Sequence, residues 1–143
     1  MNCILDTHVL IFLGCGYDNR SGQKALDVYN DPKSKIFVSQ ISFWEMAIKI
    51  NIGNLKIPIG LKNVIIHTRQ AGIETIPVRN SHILCYQSLE VHEKHKDPFD
   101  RYIISTALCE DMRIISSDSK FDLYSNLIRI WMRDDGILTS SSL

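Results

Sequence analysis

The sequence has no excess of either charge, no long hydrophobic run and no paired cysteine motif. Its 16 Lys and Arg residues balance 16 Asp and Glu residues, so no global positive field attracts nucleic acid, and binding of a polyanion would need a local basic patch. No stretch approaches the roughly 18 consecutive apolar residues of a membrane-spanning helix. The opening segment MNCILDTHVLIFL lacks the basic region of a secretory signal. We therefore expect a cytoplasmic protein.

Size and composition predict one globular domain. With 143 residues, the chain can bury roughly two thirds of the surface of its unfolded form without disulfides or structural metal. We expect a single domain over residues 1–138 and a short polar tail, TSSSL, over residues 139–143. The cysteines form no C-x-x-C pair and are predicted to be reduced thiols; they are Cys3, Cys15, Cys85 and Cys109.

Short β-prone runs alternate with longer helical patterns along the chain. This alternation is typical of an α/β protein in which helices cover both faces of a mostly parallel sheet. The predicted strands are Cys3–Leu5, Ile36–Ser39, Thr75–Val78, Arg113–Ser116 and Ile128–Trp131. The predicted helices are Thr7–Leu13, Ser21–Tyr29, Ser39–Ile50, Leu61–Gln70, Ser81–Glu90 and Pro98–Glu110.

Two aspartates follow predicted strands. Asp6 comes directly after the first strand, and Asp118 comes shortly after the fourth. In open α/β sheets, ligands bind beyond the carboxyl ends of the strands, near the point where the strand order reverses. If the first and fourth strands are neighbours, both carboxylates face one crevice. Each residue also has a structural alternative, because Asp6 can cap the following helix and Asp118 can stabilise a turn.

Glu45 lies in a segment, ISFWEMAIKI, that is otherwise almost entirely apolar. On a helix with about 100° per residue, Ser42, Glu45 and Lys49 share one narrow polar stripe and apolar side chains occupy the rest. We expect such a helix to be largely buried, which places Glu45 at the edge of the core, where an unpaired charge is costly. The alternative is an i,i+4 pair with Lys49, worth roughly a few tenths of a kcal/mol.

The segment DPFDRYIISTAL contains two aspartates with different predicted roles. Asp97 is predicted to be a helix N-cap, because Pro98 suits the first helical position, where its missing N–H does no harm. Asp100 lies one turn further on and shares a face with Ile103 and Ile104, so we expect it to point from a buried stripe into the crevice. The helix dipole explains an acid in this turn, but not its orientation toward the core.

Taken together, the four acids predict a cation site; they are Asp6, Glu45, Asp100 and Asp118. Carboxylates about 4–6 Å apart repel one another by on the order of several kcal/mol per pair at an effective dielectric of about 20. Such a cluster must therefore bind a cation or retain protons. Oxygen ligands with little histidine or thiolate favour Mg²⁺ or Mn²⁺ over Zn²⁺, and one or two such ions can support phosphodiester hydrolysis.

Three segments resemble a known family: LDTHVL at the start, SQISFWEMAIKINIGNLKI in the middle, and HKDPFDRYIISTALCEDMRIISSDSKFDLY late in the chain. Their order and spacing resemble PIN-domain nucleases, especially the VapC-type toxins of bacterial toxin-antitoxin pairs. The resemblance implies a three-layer α/β/α sandwich around a mostly parallel sheet, and an acidic site that uses one or two Mg²⁺ or Mn²⁺ ions to cut RNA. It also implies a cognate antitoxin and a homodimer.

Matching the family pattern position by position assigns expected roles to individual residues. The resemblance implies that the catalytic acids are Asp6, Glu45, Asp100 and Asp118, of which the expected metal ligands are Asp6, Asp100 and Asp118. Accessory residues at matching positions are Ser116, Asp97 and Asp122. The RNA backbone needs positive partners, and the basic residues nearest these acids in sequence are Lys49, Lys96 and Arg101.

Other interpretations of the same acids fit less well. A phosphatase of the haloacid dehalogenase type has a second Asp two positions after the first, where this chain has His8. A response-regulator receiver has a phosphate-accepting Asp after its third strand, and residues 75–80 contain none. A zinc site has no recognised spacing among its candidate ligands, which are His67, His82, His92 and His95. A PIN fold that binds RNA or protein without catalysis is a further alternative, and the intact set of acids argues against it.

Overall fold

Strands and helices alternate through the chain, as the sequence predicts. The structure, a computed structural model, describes residues 1–14, 27–28 and 30–131. The strands are β1 (Asn2–Leu5), β2 (Lys35–Ser39), β3 (Glu74–Ile76), β4 (Arg113–Ile115) and β5 (Arg129–Ile130). The helices are α1 (Thr7–Gly14), α2 (Gln40–Asn51), α3 (Leu61–Gln70), α4 (Asn80–Gln87) and α5 (Pro98–Cys109), with a 3₁₀ helix at Ser119–Leu123.

Some sequence predictions fall beyond these residues. Most of the predicted helix Ser21–Tyr29, together with Cys15 and the tail at 139–143, lies outside the described part of the chain. Within that part, none of the helices is long and apolar enough to cross a membrane.

All the strands of the described sheet are parallel, in the order β3-β2-β1-β4-β5. The central strand β1 pairs with both β2 and β4, and Ile4 lies between Phe37 and Ile114. The strand order therefore reverses between β1 and β4, which is where α/β proteins bind ligands at the carboxyl ends of the strands. The predicted adjacency of the first and fourth strands is confirmed.

Two clusters of buried apolar side chains lie on opposite faces of the sheet. Cys3 and Leu5 belong to one cluster and Ile4 to the other, because successive side chains of a strand point to opposite faces. Leu10 of α1 packs in the first cluster and Ile103 of α5 in the second. Helices thus cover both faces of the sheet, and the predicted α/β fold, a three-layer α/β/α sandwich, is confirmed.

The helix next to the crevice, α5, begins as its sequence predicts, whereas α4 ends early. The Asp97 carboxylate accepts hydrogen bonds from the amides of Phe99 (2.8 Å) and Asp100 (3.2 Å), so the predicted N-cap is confirmed. Helix α4 ends three residues before the predicted Glu90. The Glu90 carbonyl accepts from Arg101 at 3.1 Å, a tertiary contact that holds this residue outside the helix.

Helix α2 buries a different face from the one its apolar residues predict. Glu45 is only 1% exposed and Ser42 is fully buried, whereas Trp44 is 60% exposed and Ile50 is at the surface. The expectation of a largely buried apolar helix is therefore wrong for this outer face. The hydroxyls of Thr7 on α1 and Ser42 lie 2.8 Å apart, so α1 contacts the polar stripe of α2. Glu45 is buried in this stripe, whereas Lys49, on the same stripe, is 36% exposed.

Candidate active site

Asp6 and Asp118 meet at the switch point through Ser116. The Asp6 amide donates to the Ile115 carbonyl at 3.0 Å, which fixes Asp6 at the carboxyl end of β1 beside β4. The buried Ser116 hydroxyl donates to Asp6 Oδ2 at 2.8 Å and accepts from the Asp118 amide at 3.0 Å. One serine therefore orients the carboxylate of Asp6 and the backbone that carries Asp118. This hydroxyl is the accessory residue that the family resemblance predicts, now with a defined structural role.

Asp100 enters the same region from the first turn of α5. It is 8% exposed, and burial is the main reason that its pKa rises from 3.8 to about 8. The charges of Asp6, Asp97 and Glu45 raise this pKa further, in that order, and His8 opposes them. The fold therefore places Asp100 within electrostatic reach of two other predicted site acids, and at neutral pH without a cation it retains its proton.

Glu45 has one paired and one unpaired oxygen. Its Oε2 accepts a hydrogen bond from Lys49 Nζ at 2.8 Å, so the predicted i,i+4 pair is present. Its Oε1 is buried and has no hydrogen-bond partner among the described residues. A buried carboxylate oxygen without a donor is costly, which means that the ion pair alone does not satisfy this side chain.

His95 completes a compact group of ligand atoms with two of the predicted acids. One donor atom each from His95, Asp100 and Asp118 lies within 4.8 Å of the others. Asp6 and Glu45 are not members of this group, and their link to it is the Ser116 bridge and the electrostatic effect on Asp100. Sequence reasoning considered His95 only as a zinc ligand and missed its place beside the acids, although it lies five residues before Asp100 in HKDPFD.

The two aspartates predicted as accessory residues, Asp97 and Asp122, have structural roles. Asp97 caps α5, as described above. Asp122 forms a two-pronged ion pair with Arg129, with distances of 2.9 and 2.8 Å, and the Arg129 guanidinium also donates to the Ser116 carbonyl at 3.0 Å. Asp122 thereby supports the end of β4 and the position of Ser116.

The predicted basic residues differ in their access to a substrate. Lys49 is bound to Glu45; burial opposes its charge, but the hydrogen bond and the charges of Glu45, Asp97 and Asp100 raise its pKa overall. Lys96 is at the surface and pairs with Glu93 at 3.2 Å. Arg101 is 8% exposed and donates inward to the Glu90 carbonyl and the Tyr124 hydroxyl. We therefore correct the expectation for Arg101, because its guanidinium is bound inside the protein and does not face a substrate.

A second group of potential ligand atoms lies away from this crevice. His82, Cys109 and Glu110 each offer one donor atom within 4.8 Å of the others, and the His82 ring is already paired with Glu110 at 2.7 Å. No group of ligand atoms among the described residues joins His82 or His67 to His92 and His95. The geometry therefore gives no support to the zinc site considered from sequence.

The residues of the crevice fit a divalent cation. Most of their donors are carboxylate oxygens, which suit Mg²⁺ and Mn²⁺. The unpartnered Oε1 of Glu45 and the raised pKa of Asp100 are both features that a nearby cation would relieve. The residues whose ligand atoms lie close enough together to hold one ion are His95, Asp100 and Asp118, and the charges of Asp6 and Glu45 act on Asp100.

Comparisons with known proteins are consistent with this architecture. A sequence model of the family described as PIN domain matches residues 3–127. No curated protein matches the chain in sequence.

Solved structures share the fold at low sequence identity. VapBC2 from Rickettsia felis, bound to a DNA fragment from their promoter, is 20% identical, with 90% of this chain and 97% of that chain covered and a TM-score of 0.63. VapBC-1 from nontypeable Haemophilus influenzae is 21% identical, with 85% and 90% covered and a TM-score of 0.57. A toxin-antitoxin complex from Klebsiella pneumoniae is 19% identical, with 82% and 88% covered and a TM-score of 0.50.

Proposed function

The chain belongs to the PIN domain family, and from this premise we propose that it is a metal-dependent endoribonuclease, the toxin of a toxin-antitoxin pair. The observation that carries the proposal is the buried acidic crevice at the switch point of the sheet. There, burial and the neighbouring carboxylates raise the pKa of Asp100 to about 8. Carboxyl groups perturbed by burial and by like charges cluster at functional sites, and a bound cation would offset both effects.

The proposed roles follow from the contacts of each side chain. Asp6, Asp100 and Asp118 hold Mg²⁺ or Mn²⁺, one or two ions, and Ser116 keeps Asp6 oriented through its 2.8 Å hydrogen bond. When bound, a divalent ion acidifies water and offsets negative charge on a phosphodiester. Glu45 has Oε1 available to accept a hydrogen bond from water, because Lys49 occupies only Oε2.

The proposal includes partners and context. Structures of similar fold are complexes named VapBC or toxin-antitoxin, which supports a cognate antitoxin for this chain. RNA is the proposed substrate, with Lys49 and Lys96 near its backbone. We further propose a homodimer in the cytoplasm, with residues 1–138 acting as one nuclease domain. A small reading frame next to this gene that encodes a protein with a DNA-binding N-terminus would support the pairing.

The test is cleavage of single-stranded RNA by purified protein with Mg²⁺ or Mn²⁺ and with a chelator. Asp6→Asn and Glu45→Gln should each lower the cleavage rate by at least about 100-fold, because they remove charge from groups that act together on the metal and water. Glu74→Gln is the matched control, since Glu74 is exposed on β3 and, among the described residues, pairs only with the exposed Lys35. This control should cleave at the wild-type rate.

Three outcomes would reject the proposal. Cleavage that persists in Asp6→Asn, or in the presence of chelator, would indicate a contaminant or another site. Binding of RNA without cleavage, at any divalent ion concentration, would favour the alternative of a binding module that keeps the fold without catalysis. An acidic-pocket phosphatase would instead release phosphate from monoesters and leave internal phosphodiester bonds intact.

A further inference from the structure

His95 is a loop residue, yet it is buried and held by several contacts. It lies between α4 and α5, two residues before the cap Asp97, and is 4% exposed. An isolated antiparallel bridge pairs it with His92. The edge of its ring contacts Phe121 at 5.3 Å and Tyr124 at 5.5 Å between ring centroids. Aromatic packing therefore fixes the plane of the imidazole.

A hydrogen-bond chain favours one position for the proton on the ring. Arg101 can only donate, so the Tyr124 oxygen accepts from Arg101 Nη1 at 3.0 Å. The Tyr124 hydroxyl then donates its one hydrogen to His95 Nδ1, which lies 2.8 Å away. With Nδ1 acting as an acceptor, Nε2 bears the hydrogen and donates to Asp100 Oδ2 at 3.2 Å. The direction of the chain thus runs from Arg101 to Asp100.

This chain determines how Asp100 presents itself to an ion. With Oδ2 bound by His95, Oδ1 remains as the oxygen available to a cation. The Asp100 carboxylate as a whole lies beside Asp118. Direct ligation by His95 would require loss of the Asp100 bond and reversal of the Tyr124 hydroxyl, whose hydrogen has no other acceptor among the described residues. We propose that His95, held by Tyr124 and Arg101, is a positioning residue that orients the Asp100 carboxylate toward a divalent cation.

The inference rests on the metal site of the proposed function, and it is tested by Mn²⁺ binding without RNA. Free Mn²⁺ is measured by electron paramagnetic resonance during titration of the full chain. His95→Ala should weaken Mn²⁺ binding by about 10- to 100-fold, as expected when a group that orients a metal ligand is lost. Tyr124→Phe removes only one hydroxyl from the chain and should weaken binding by a smaller factor, about 3- to 10-fold.

Two further variants separate positioning from general packing. His92→Ala is the matched control, because His92 contacts the same Tyr124 ring at 4.8 Å and has its polar contact with Glu90 rather than with a site carboxylate. It should leave the Mn²⁺ affinity within about 2-fold of wild type, even if it lowers the melting temperature. His95→Gln retains an N–H donor for Asp100 and should recover part of the affinity lost in His95→Ala.

The outcomes distinguish this inference from the proposed function. Wild-type Mn²⁺ affinity in His95→Ala would overturn the inference, as would a pulsed resonance spectrum of the wild type showing nitrogen bound directly to Mn²⁺. Absence of Mn²⁺ binding by the wild type would overturn both proposals. A protein that binds Mn²⁺ in a His95-dependent manner but cleaves no RNA would leave the inference standing and reject the function. If His95→Ala does not fold, Tyr124→Phe and His95→Gln decide the question by the same measurement.

Discussion

Asp100 provides the strongest quantitative prediction, because the fold holds its carboxyl group in an environment that disfavours ionisation. Its pKa is raised from 3.8 to about 8, first by burial and then by Asp6, Asp97 and Glu45. The unfolded chain releases this proton near pH 4, whereas the folded protein keeps it up to about pH 8. The folded state therefore binds more protons throughout this range, and the stability of the metal-free protein falls as pH rises through it.

Asp100→Asn removes the charge while keeping the shape of the side chain and its hydrogen bond to His95. The contribution of Asp100 to the free energy of unfolding changes by about 1.4 kcal/mol per pH unit between its pKa in the unfolded chain and its pKa in the folded protein. At pH 8, in the presence of chelator, we expect the Asp100→Asn variant to be more stable than wild type by roughly 3–5 kcal/mol. At pH 5, ionisation of the Asp100 carboxyl stabilises the unfolded state only slightly, so the difference between the two proteins should fall to roughly 1–2 kcal/mol.

The assay is urea unfolding of both proteins at pH 5 and pH 8, with the free energy of unfolding extrapolated to water. Asp31→Asn is the control, because Asp31 is an exposed turn residue whose Oδ1 accepts from the Lys33 amide, a bond that Asn can also accept. The control should differ from wild type by a similar small amount at both pH values. A stability gain in Asp100→Asn that does not grow with pH would refute the electrostatic argument, as would a loss of stability at pH 8.

Two smaller predictions concern residues around the site. Asp122→Ala should lower the free energy of unfolding by about 2–4 kcal/mol, because it leaves the buried Arg129 without its two-pronged carboxylate. Urea unfolding measures this loss, with Glu93→Ala in the exposed Glu93–Lys96 pair as the control. A loss as small as that of the control would contradict the prediction. Asp111→Gly should raise the melting temperature and increase the free energy of unfolding by about 0.5–1 kcal/mol, because Asp111 follows α5 with a positive φ of 55° that glycine adopts without strain. Calorimetry measures the melting temperature. A lower value in the variant would show that the Asp side chain stabilises this turn.

The order of helices and strands was predictable because each element has a local signal. Alternating β-prone and helical runs located the five strands to within a few residues. The start of α5 followed from Asp97 and Pro98, since capping depends on residues close in sequence. The positions of Asp6 and Asp118 after strands predicted a shared crevice, because the carboxyl ends of parallel strands meet at one edge of the sheet.

Burial of α2 was less predictable. Its apolar residues indicated which side chains share a stripe, but the covered stripe contains Ser42 and Glu45, while Trp44 is exposed. Hydrophobic periodicity indicates which residues of one helix share a face, but it does not indicate which face the neighbouring elements cover. Which face is covered depends on α3, α5 and β2, which the fold brings against α2.

The sequence by itself determined the fold class and the cap of α5, and it singled out four acids as candidates for a site, because these depend on local patterns and on the general geometry of parallel sheets. The tertiary structure decided what surrounds the acids. It left Oε1 of Glu45 without a partner among the described residues, turned Arg101 inward, and joined His95 to Asp100 through a chain that includes Tyr124. Tyr124 lies 29 residues from His95 in sequence, and a hydrogen bond over that separation has no local signature, since it forms only when the loop before α5 packs against the end of the 3₁₀ helix.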